Sequence, residues 1–297
     1  MRLKIWIQAF RLRTLALALS SIILGAIVSY VYHSFQWQVS ALAVLTTLLL
    51  QILSNLANDY GDGTKGTDNK DRLGPTRAIQ SGEITPAQMK KAIIVFSILS
   101  FLSGISLIYI SGISLLFAAI MLFIGLLAIV AAVKYTVGKK AYGYSGLGDF
   151  FVFVFFGPVA VMGTFYLNAH FITAALLWPS ITVGFLSVAV LNLNNMRDFE
   201  NDIASGKITL AVKLGIKNAK LYHIILVNVA FFSLMYFEFL LEMSWWIHLT
   251  FFLYPLFLMD LKKIDQEQNL QNLDPYLKYT ALKTLLLVIV FGILVLI

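Results

Sequence analysis

The stretch TLALALSSIILGAIVSYVYHSFQWQVSALAVLTTLLLQILSNLAN, residues 14–58, decides the fold of this chain, because it contains no Lys, Arg, Asp or Glu. A helix that crosses a bilayer once needs about 20 apolar residues, so this stretch is long enough for two crossings joined by a tight turn. Three further stretches, residues 92–133, 150–196 and 221–259, also lack Lys and Arg and are similarly long and apolar. The chain is therefore predicted to cross a membrane in up-and-back helix pairs.

The composition excludes a soluble domain, since 59% of the residues are hydrophobic, 12% are charged and the mean hydropathy is +0.83. Unbroken apolar runs favour helices over the alternating pattern of a membrane β-barrel.

Because each helix pair returns to its starting side, the cations all lie on one face, which the positive-inside rule makes cytoplasmic. The net charge of +7 reflects these basic loops and does not indicate a nucleic acid partner. The absence of Cys excludes disulfides and thiolate chemistry.

These patterns predict one all-α membrane domain over residues 1–297, a polytopic transmembrane helical bundle of about nine spans. A short interfacial helix at a cytoplasmic amino terminus leads into the first span, and nine spans place the carboxyl terminus outside. Two Asp-rich loops, after the second and sixth spans, are expected to form a cytoplasmic cap. The spans are expected near residues 14–33, 38–58, 91–110, 113–133, 149–168, 171–192, 221–241, 244–260 and 277–297.

The first Asp-rich motif is NLANDYGDGTKGTD, residues 55–68, at the end of an apolar helix. Asn58 and Asp62 are four residues apart, so their side chains point to the same side of that helix. The three glycines within residues 61–66 are expected to loosen the helix, so that Asp68 folds back toward Asp62.

The second Asp-rich motif is NNMRDFENDIASGK, residues 194–207. Asn194, Asp198 and Asp202 follow one another at intervals of four residues, which places them in one stripe on one helix. Like charges in one stripe repel each other, so a positive group must compensate them.

Carboxylate and amide oxygens, without His or Cys, are ligands that suit Mg²⁺. Two such motifs that face each other would hold two Mg²⁺ ions with a diphosphate between them. The alternative is that the Asn and Asp residues are solvated helix ends and serve as caps. The basic residues beside both motifs favour the diphosphate interpretation.

With these motifs, the chain resembles the UbiA superfamily of intramembrane prenyltransferases, and within it the 1,4-dihydroxy-2-naphthoate polyprenyltransferases of menaquinone biosynthesis. The resemblance covers nearly the whole chain. It is carried by the two Asp-rich motifs and by the segments RLGPTRAIQSG (72–82), GLGD and FFGPVAV within 144–163, and ITLAVKLG (208–215). RLRTLAL (11–17) resembles the family's amino-terminal RPRT segment, with Leu12 in place of the usual Pro. The last Asp of the first motif lies later than the superfamily's usual spacing, which fits the naphthoate branch.

The resemblance implies transfer of a polyprenyl group from polyprenyl diphosphate to 1,4-dihydroxy-2-naphthoate, with decarboxylation and release of diphosphate, to give demethylmenaquinol. It also implies a multi-pass protein of the bacterial plasma membrane with a cytoplasmic active site, in contact with membrane lipid. One Mg²⁺ is assigned to Asn58, Asp62 and Asp68, and the other to Asn194, Asp198 and Asp202. The diphosphate ligands are expected to be Lys65, Arg72, Arg77 and Lys207.

The carboxylate of the aromatic acid needs a cation near the ring site, and the candidates are Lys134, Lys139 and Arg197. Tyr144 is a candidate for stabilising the allylic cation through its ring, or else an interfacial anchor. The residues expected to act directly in catalysis are Asp62, Asp198, Lys65, Lys134 and Tyr144.

Three alternatives remain. The first is a superfamily enzyme with another acceptor, although the loops match the naphthoate branch. The second, a CDP-alcohol phosphotransferase, is disfavoured because its DGxxARxxG pattern is missing. The third, a transporter, is disfavoured because transporter sites lie near the bilayer midplane, whereas these charges lie at one face.

Overall fold

The computed structural model describes residues 2–69, 73–242 and 244–297, with all their side chains except those of Arg2 and Arg13. These residues form helices and loops and no strand, which confirms the predicted all-α bundle. The α-helices are α1 (Arg2–Phe10), α2 (Leu12–Val31), α3 (Trp37–Lys65), α4 (Pro86–Ser111), α5 (Leu115–Lys134), α6 (Gly148–Val154), α7 (Ala160–Ala169), α8 (Leu177–Arg197), α9 (Phe199–Ala204), α10 (Leu210–Leu240), α11 (Tyr254–Gln266) and α12 (Asp274–Leu296). A π-helix, Phe155–Val159, joins α6 to α7, and 3₁₀ turns cover Tyr142–Tyr144, Ala174–Leu176, Trp245–Leu253 and Leu270–Leu273.

Eight segments within the described residues are long and apolar enough to cross a membrane. The chain is therefore a multi-pass membrane protein. The segments are Thr14–Val31, Trp37–Lys65, Pro86–Ser111, Leu115–Lys134, Gly148–Ala169, Ala174–Arg197, Leu210–Leu240 and Leu270–Leu296.

A ninth segment, residues 245–266, crosses the bundle alongside α10, although it is not among the eight. At one end, Thr250 Oγ1 donates to Glu238 Oε1 over 2.8 Å, and at the other Lys220 Nζ donates to the carbonyl of Asp265 over 2.8 Å. Glu238 and Lys220 are 18 residues apart on α10, or about 27 Å at 1.5 Å per residue. The segment that contains the predicted span 244–260 therefore runs beside α10 over about the length of one crossing, continues to residue 266 and ends in charged side chains, and the ninth crossing stays a prediction.

The first Asp-rich motif is more helical than predicted. Instead of loosening at the glycines, α3 continues to Lys65 and ends where Gly66 adopts a φ of 76°. A Cβ on Gly61 would lie 2.4 Å from Thr136 Oγ1, and a Cβ on Gly63 would lie 2.7 Å from Ile79 Cγ2. These two glycines therefore allow neighbouring segments to pack closely against α3, and the expectation that they loosen it was wrong.

The second Asp-rich motif is divided between two helices, α8 and α9, which meet at Asp198. The break is mild, because the amide of Asp198 still donates to the carbonyl of Asn194 over 3.1 Å, and that of Asp202 to the carbonyl of Asp198 over 2.8 Å. The predicted spacing of four residues per turn is thus preserved across the junction.

The largest apolar core joins α2, the π-helix with its neighbours, α8, α10 and α12. In contrast, Ala131 is the one buried residue of α5. The hairpin of α4 and α5 therefore forms a thin wall, with the bundle on one side and space for lipid on the other.

We predict that Gly61→Ala lowers the melting temperature of the detergent-solubilised protein. The added methyl would collide with Thr136, and such overpacking typically costs about 1–3 kcal/mol. Gly104→Ala in α4 is the matched control, because no heavy atom lies within 4 Å of its added Cβ and helical Ala is favoured over Gly by about 1 kcal/mol. Equal melting temperatures for the two variants would contradict the packing role of Gly61.

Candidate active site

Both Asp-rich motifs lie at the mouth of one cavity of about 1100 Å³. Asn58 and Asp62 from the first motif and Asn194 and Lys207 from the second line its polar end. Ala43, nineteen residues before Asp62 on α3, lines the far end, so the cavity is about 28 Å deep. Below the mouth, its walls are largely apolar side chains of α2 to α5, the π-helix and α7.

Arg77 holds the first motif together. Its Nη1 donates to Asp62 Oδ2 over 2.6 Å, to Asp68 Oδ2 over 2.8 Å and to the carbonyl of Asn58 over 3.2 Å. Burial alone would lower the pKa of Arg77, but the negative charges of Asp62 and Asp68 outweigh it and the pKa is raised. The guanidinium is therefore a permanent positive charge between two buried carboxylates.

Tyr144 lies between the two motifs, in the 3₁₀ turn that precedes α6. Its hydroxyl donates to Asp62 Oδ1 over 2.8 Å, so the Thr67 hydroxyl, 2.6 Å away, must donate to it in turn. Lys65 Nζ lies 3.9 Å from the centre of the ring and Lys207 Nζ 5.8 Å from it. Burial and the charge of Asp62 raise the pKa of Tyr144, so the hydroxyl stays protonated as a donor.

Arg197 holds the polar side chains of the second motif in place through hydrogen bonds. It is fully buried, and its Nε and Nη2 donate to the two oxygens of Asp198 over 2.9 and 2.6 Å. Nη2 also donates to Asn194 Oδ1 over 2.9 Å, and Nη1 contacts Asp274 at the start of α12. This arginine therefore fixes the orientation of Asn194 and Asp198.

Asp202 and Lys207 form the remaining buried ion pair, with Lys207 Nζ 3.3 Å from Asp202 Oδ1. Burial raises the pKa of Asp202 to about 6, against the opposing effect of Lys207. The pKa of Lys207 is also raised, because the charges of Asp202 and Asp62 outweigh its burial. The other oxygen of Asp202 is buried and has no hydrogen-bond partner.

One hydrogen bond joins the two motifs directly, and another joins the residue after the second motif to Tyr144. Asn201 Nδ2 donates to the carbonyl of Thr67 over 2.9 Å, across 134 residues of sequence. The amide of Ile208 donates to the carbonyl of Tyr144 over 3.2 Å. The two motifs thus share one surface above the cavity.

The donor set fits Mg²⁺. Asp62, Asp68, Asp198 and Asp202 supply buried carboxylates, and Asn58 and Asn194 supply amide oxygens at the cavity mouth. The unpartnered oxygen of Asp202 is the clearest sign that a cation belongs here, because a buried carboxylate oxygen is otherwise costly. Within the described ranges, no three carboxylate, His or Cys side chains are already gathered around one point.

Among the described residues, several others proposed from the sequence do not line the cavity. Lys134 and Lys139 are exposed and do not line it, and Lys65 is exposed but stacks on Tyr144. Arg197 is fully buried and forms ion pairs with Asp198 and Asp274. Arg72 lies outside the described residues.

Arg11 and Gln51, which line the cavity, were not among the site residues expected from the sequence. Arg11 lies in the turn between α1 and α2 with a φ of 51°. The RLRT segment was a usable signal for Arg11, because it resembles a family motif. Gln51 could not have been placed on the cavity wall without the packing around α3.

Comparison with family models matches residues 18–273 to the UbiA prenyltransferase family. Relatives named 1,4-dihydroxy-2-naphthoate octaprenyltransferase occur in Haemophilus influenzae and Escherichia coli. The first is 44% identical over 295 residues, which are 98% of this chain and 95% of the relative. The second is 42% identical over 290 residues, which are 98% of this chain and 94% of the relative.

Two solved structures share the fold at low sequence identity. A digeranylgeranylglyceryl phosphate synthase has a TM-score of 0.63 at 20% identity, covering 98% of this chain and 99% of that one. A UbiA homologue from Archaeoglobus fulgidus, bound to DMAPP and Mg²⁺, has a TM-score of 0.62 at 16% identity, covering 96% of this chain and 99% of that one. The family match over residues 18–273 and the relatives at 44% and 42% identity show that the chain belongs to the UbiA prenyltransferase family.

Proposed function

We propose that this protein transfers a polyprenyl group from polyprenyl diphosphate to 1,4-dihydroxy-2-naphthoate, with loss of the carboxylate and release of diphosphate, to give demethylmenaquinol for menaquinone synthesis. The observation that carries the proposal is the cavity itself, which has two Asp-rich motifs at its mouth and a deep apolar interior. Its shape and polarity match a molecule with a doubly charged head and a long hydrocarbon tail. The names of the full-length relatives support the acceptor.

The diphosphate head belongs at the mouth of the cavity. Asn58, Asp62 and Asp68 would hold one Mg²⁺, and Asn194, Asp198 and Asp202 would hold the other. When bound, Mg²⁺ supplies the positive charge that stabilises diphosphate as a leaving group.

Side chains around the mouth complete the diphosphate site. Lys65, Lys207 and Arg77 supply further positive charge. The Tyr144 ring, against which Lys65 stacks, would stabilise positive charge that develops on the allylic carbon. Tyr135, Tyr142 and Phe151 line the cavity and exclude water from that carbon.

The acceptor belongs in a polar lobe of the cavity formed by Arg11, Thr14, Gln51 and Asn55. Asn55 Nδ2 donates to the carbonyl of Phe10 over 2.8 Å and to Thr14 Oγ1 over 2.9 Å, which ties the α1–α2 turn to α3. Arg11 matches a carboxylate, and the neutral polar groups match two ring hydroxyls. We therefore assign the aromatic carboxylate to Arg11, with Lys134, Lys139 and Arg197 as the alternatives.

The proposed location is the bacterial plasma membrane, with the Asp-rich face and the amino terminus in the cytoplasm. The restriction of Lys and Arg to one face supports this orientation. Another aromatic acceptor of similar size is the second candidate, and transport is the least favoured.

We predict that Asp62→Asn or Asp198→Asn lowers prenyl transfer by 100-fold or more, because each removes a buried charge that the diphosphate site requires. Purified enzyme would be assayed with polyprenyl diphosphate, Mg²⁺ and dihydroxynaphthoate, with products identified by mass. Glu200→Gln is the matched control, since it removes an exposed carboxylate from the same motif. Full activity in both Asn variants would refute the site.

We also predict that Arg11→Gln raises the KM for the aromatic acid about tenfold or more and changes the KM for the diphosphate little, because one charge-assisted contact to the carboxylate is lost. Steady-state kinetics with each substrate varied in turn would measure this. Lys134→Gln and Lys139→Gln serve as comparison variants. A selective acceptor defect in either of them, with none in Arg11→Gln, would move the carboxylate site to that lysine.

A further inference from the structure

Two contrasting groups of glycines stand out within the described helices. In the first, the missing side chain allows close packing, since an added Cβ would lie within 2.4–2.9 Å of a neighbouring atom. The members of this group are Gly25, Gly61, Gly63, Gly157, Gly184 and Gly292. In the second group, Gly104, Gly125 and Gly163, an added Cβ would have no heavy atom within 4 Å.

Close packing against other protein atoms does not explain why the second group of positions has glycine. None of the three has a positive φ, so the backbone does not require glycine. Glycine inside a helix is less favourable than alanine by about 1 kcal/mol. All three nevertheless line the same cavity. The open space beside them is therefore expected to be used by something that enters the cavity.

Gly104 lies about 24 Å below Asp62. Its neighbour Ser103 forms a hydrogen bond of 2.7 Å with Thr46 of α3. Thr46 precedes Asp62 by sixteen residues, which corresponds to that distance at 1.5 Å per residue.

Gly125 lies at a similar depth. Thr136 donates to the carbonyl of Ala57 over 2.9 Å, and Ala57 is about 7 Å below Asp62. Gly125 precedes Thr136 by eleven residues, so it lies about 16 Å deeper still.

Gly163, on α7, lies at a similar depth. Its neighbour Thr164 packs against Gly25, where an added Cβ would lie 2.9 Å from Thr164 Cβ. Gly25 follows Thr14 by eleven residues on α2, so it lies about 16 Å deeper. Thr14 is hydrogen-bonded to Asn55 and is therefore level with it, about 10 Å below Asp62. Three helices thus each place a glycine about 25 Å below the diphosphate site, and we call these residues the glycine ring.

We propose that the glycine ring is the passage through which the isoprenoid tail of the donor runs, and that it determines which tail lengths the enzyme accepts. This inference rests on the proposed function. Four carbon–carbon bonds of about 1.5 Å make an extended isoprene unit roughly 5 Å long, so about five units reach from the diphosphate site to the ring. A tail of two or four units ends above the ring, whereas a tail of eight units must pass it.

The test is to narrow the ring with Gly125→Leu or Gly163→Leu and compare donors of two, four and eight isoprene units. The expected result is a fall of tenfold or more in kcat/KM for the eight-unit donor relative to the two-unit donor. Ala119→Leu is the matched control, because Ala119 is an exposed residue of α5 that does not line the cavity, and it should leave the ratio unchanged.

If both leucine variants use all three donors in the wild-type ratio, the tail does not pass the ring and the proposal is wrong. Should a leucine variant fail to fold, Gly125→Ala and Gly163→Ala replace it, because an added Cβ at either position fits the open space. They are expected to lower the ratio of kcat/KM for the eight-unit donor to that for the two-unit donor by a smaller factor. An unchanged ratio would overturn the proposal. A wild-type protein that transfers none of the donors would instead refute the proposed function. The two failures are therefore distinguishable.

Discussion

The structure depends on neutralising four carboxylates that are buried together at a membrane surface. Asp62, Asp68, Asp198 and Asp202 are each between 1% and 7% exposed. Charges so poorly hydrated must be paired or must bind a cation. Arg77, Arg197 and Lys207 provide that pairing and at the same time pull the ends of α3, α8 and α9 into one surface.

Much of the fold could be predicted from the sequence, because a bilayer imposes simple rules on length and polarity. The stretch 14–58 becomes α2 and α3, and the alternation of apolar pairs with basic loops gives the remaining crossings. The ninth segment was harder to recognise. Its first part is 3₁₀ helix and its second part ends in charged residues, so its path beside α10 is shown by contacts to Lys220 and Glu238 rather than by its hydropathy.

The candidate site could be predicted in its chemistry and only partly in its geometry. The spacing of Asn194, Asp198 and Asp202 predicts a metal-binding pattern from local periodicity alone, and that assignment stays a prediction. The roles of Gly61 and Gly63 were misjudged, because a glycine that permits close packing and one that ends a helix look alike in sequence. What distinguishes them is the neighbour across the contact, Thr136 or Ile79, and that is a property of tertiary structure.

The thin wall formed by α5 has an energetic consequence. This helix has the highest mean hydropathy of the eight spans, 3.0, and its residues border either the cavity or the outside of the bundle. A hydrocarbon chain that leaves the bilayer for this cavity exchanges one apolar surrounding for another. The hydrophobic effect, which requires removal from water, therefore adds little to its binding. The free energy that holds the donor in place must come almost entirely from its charged end.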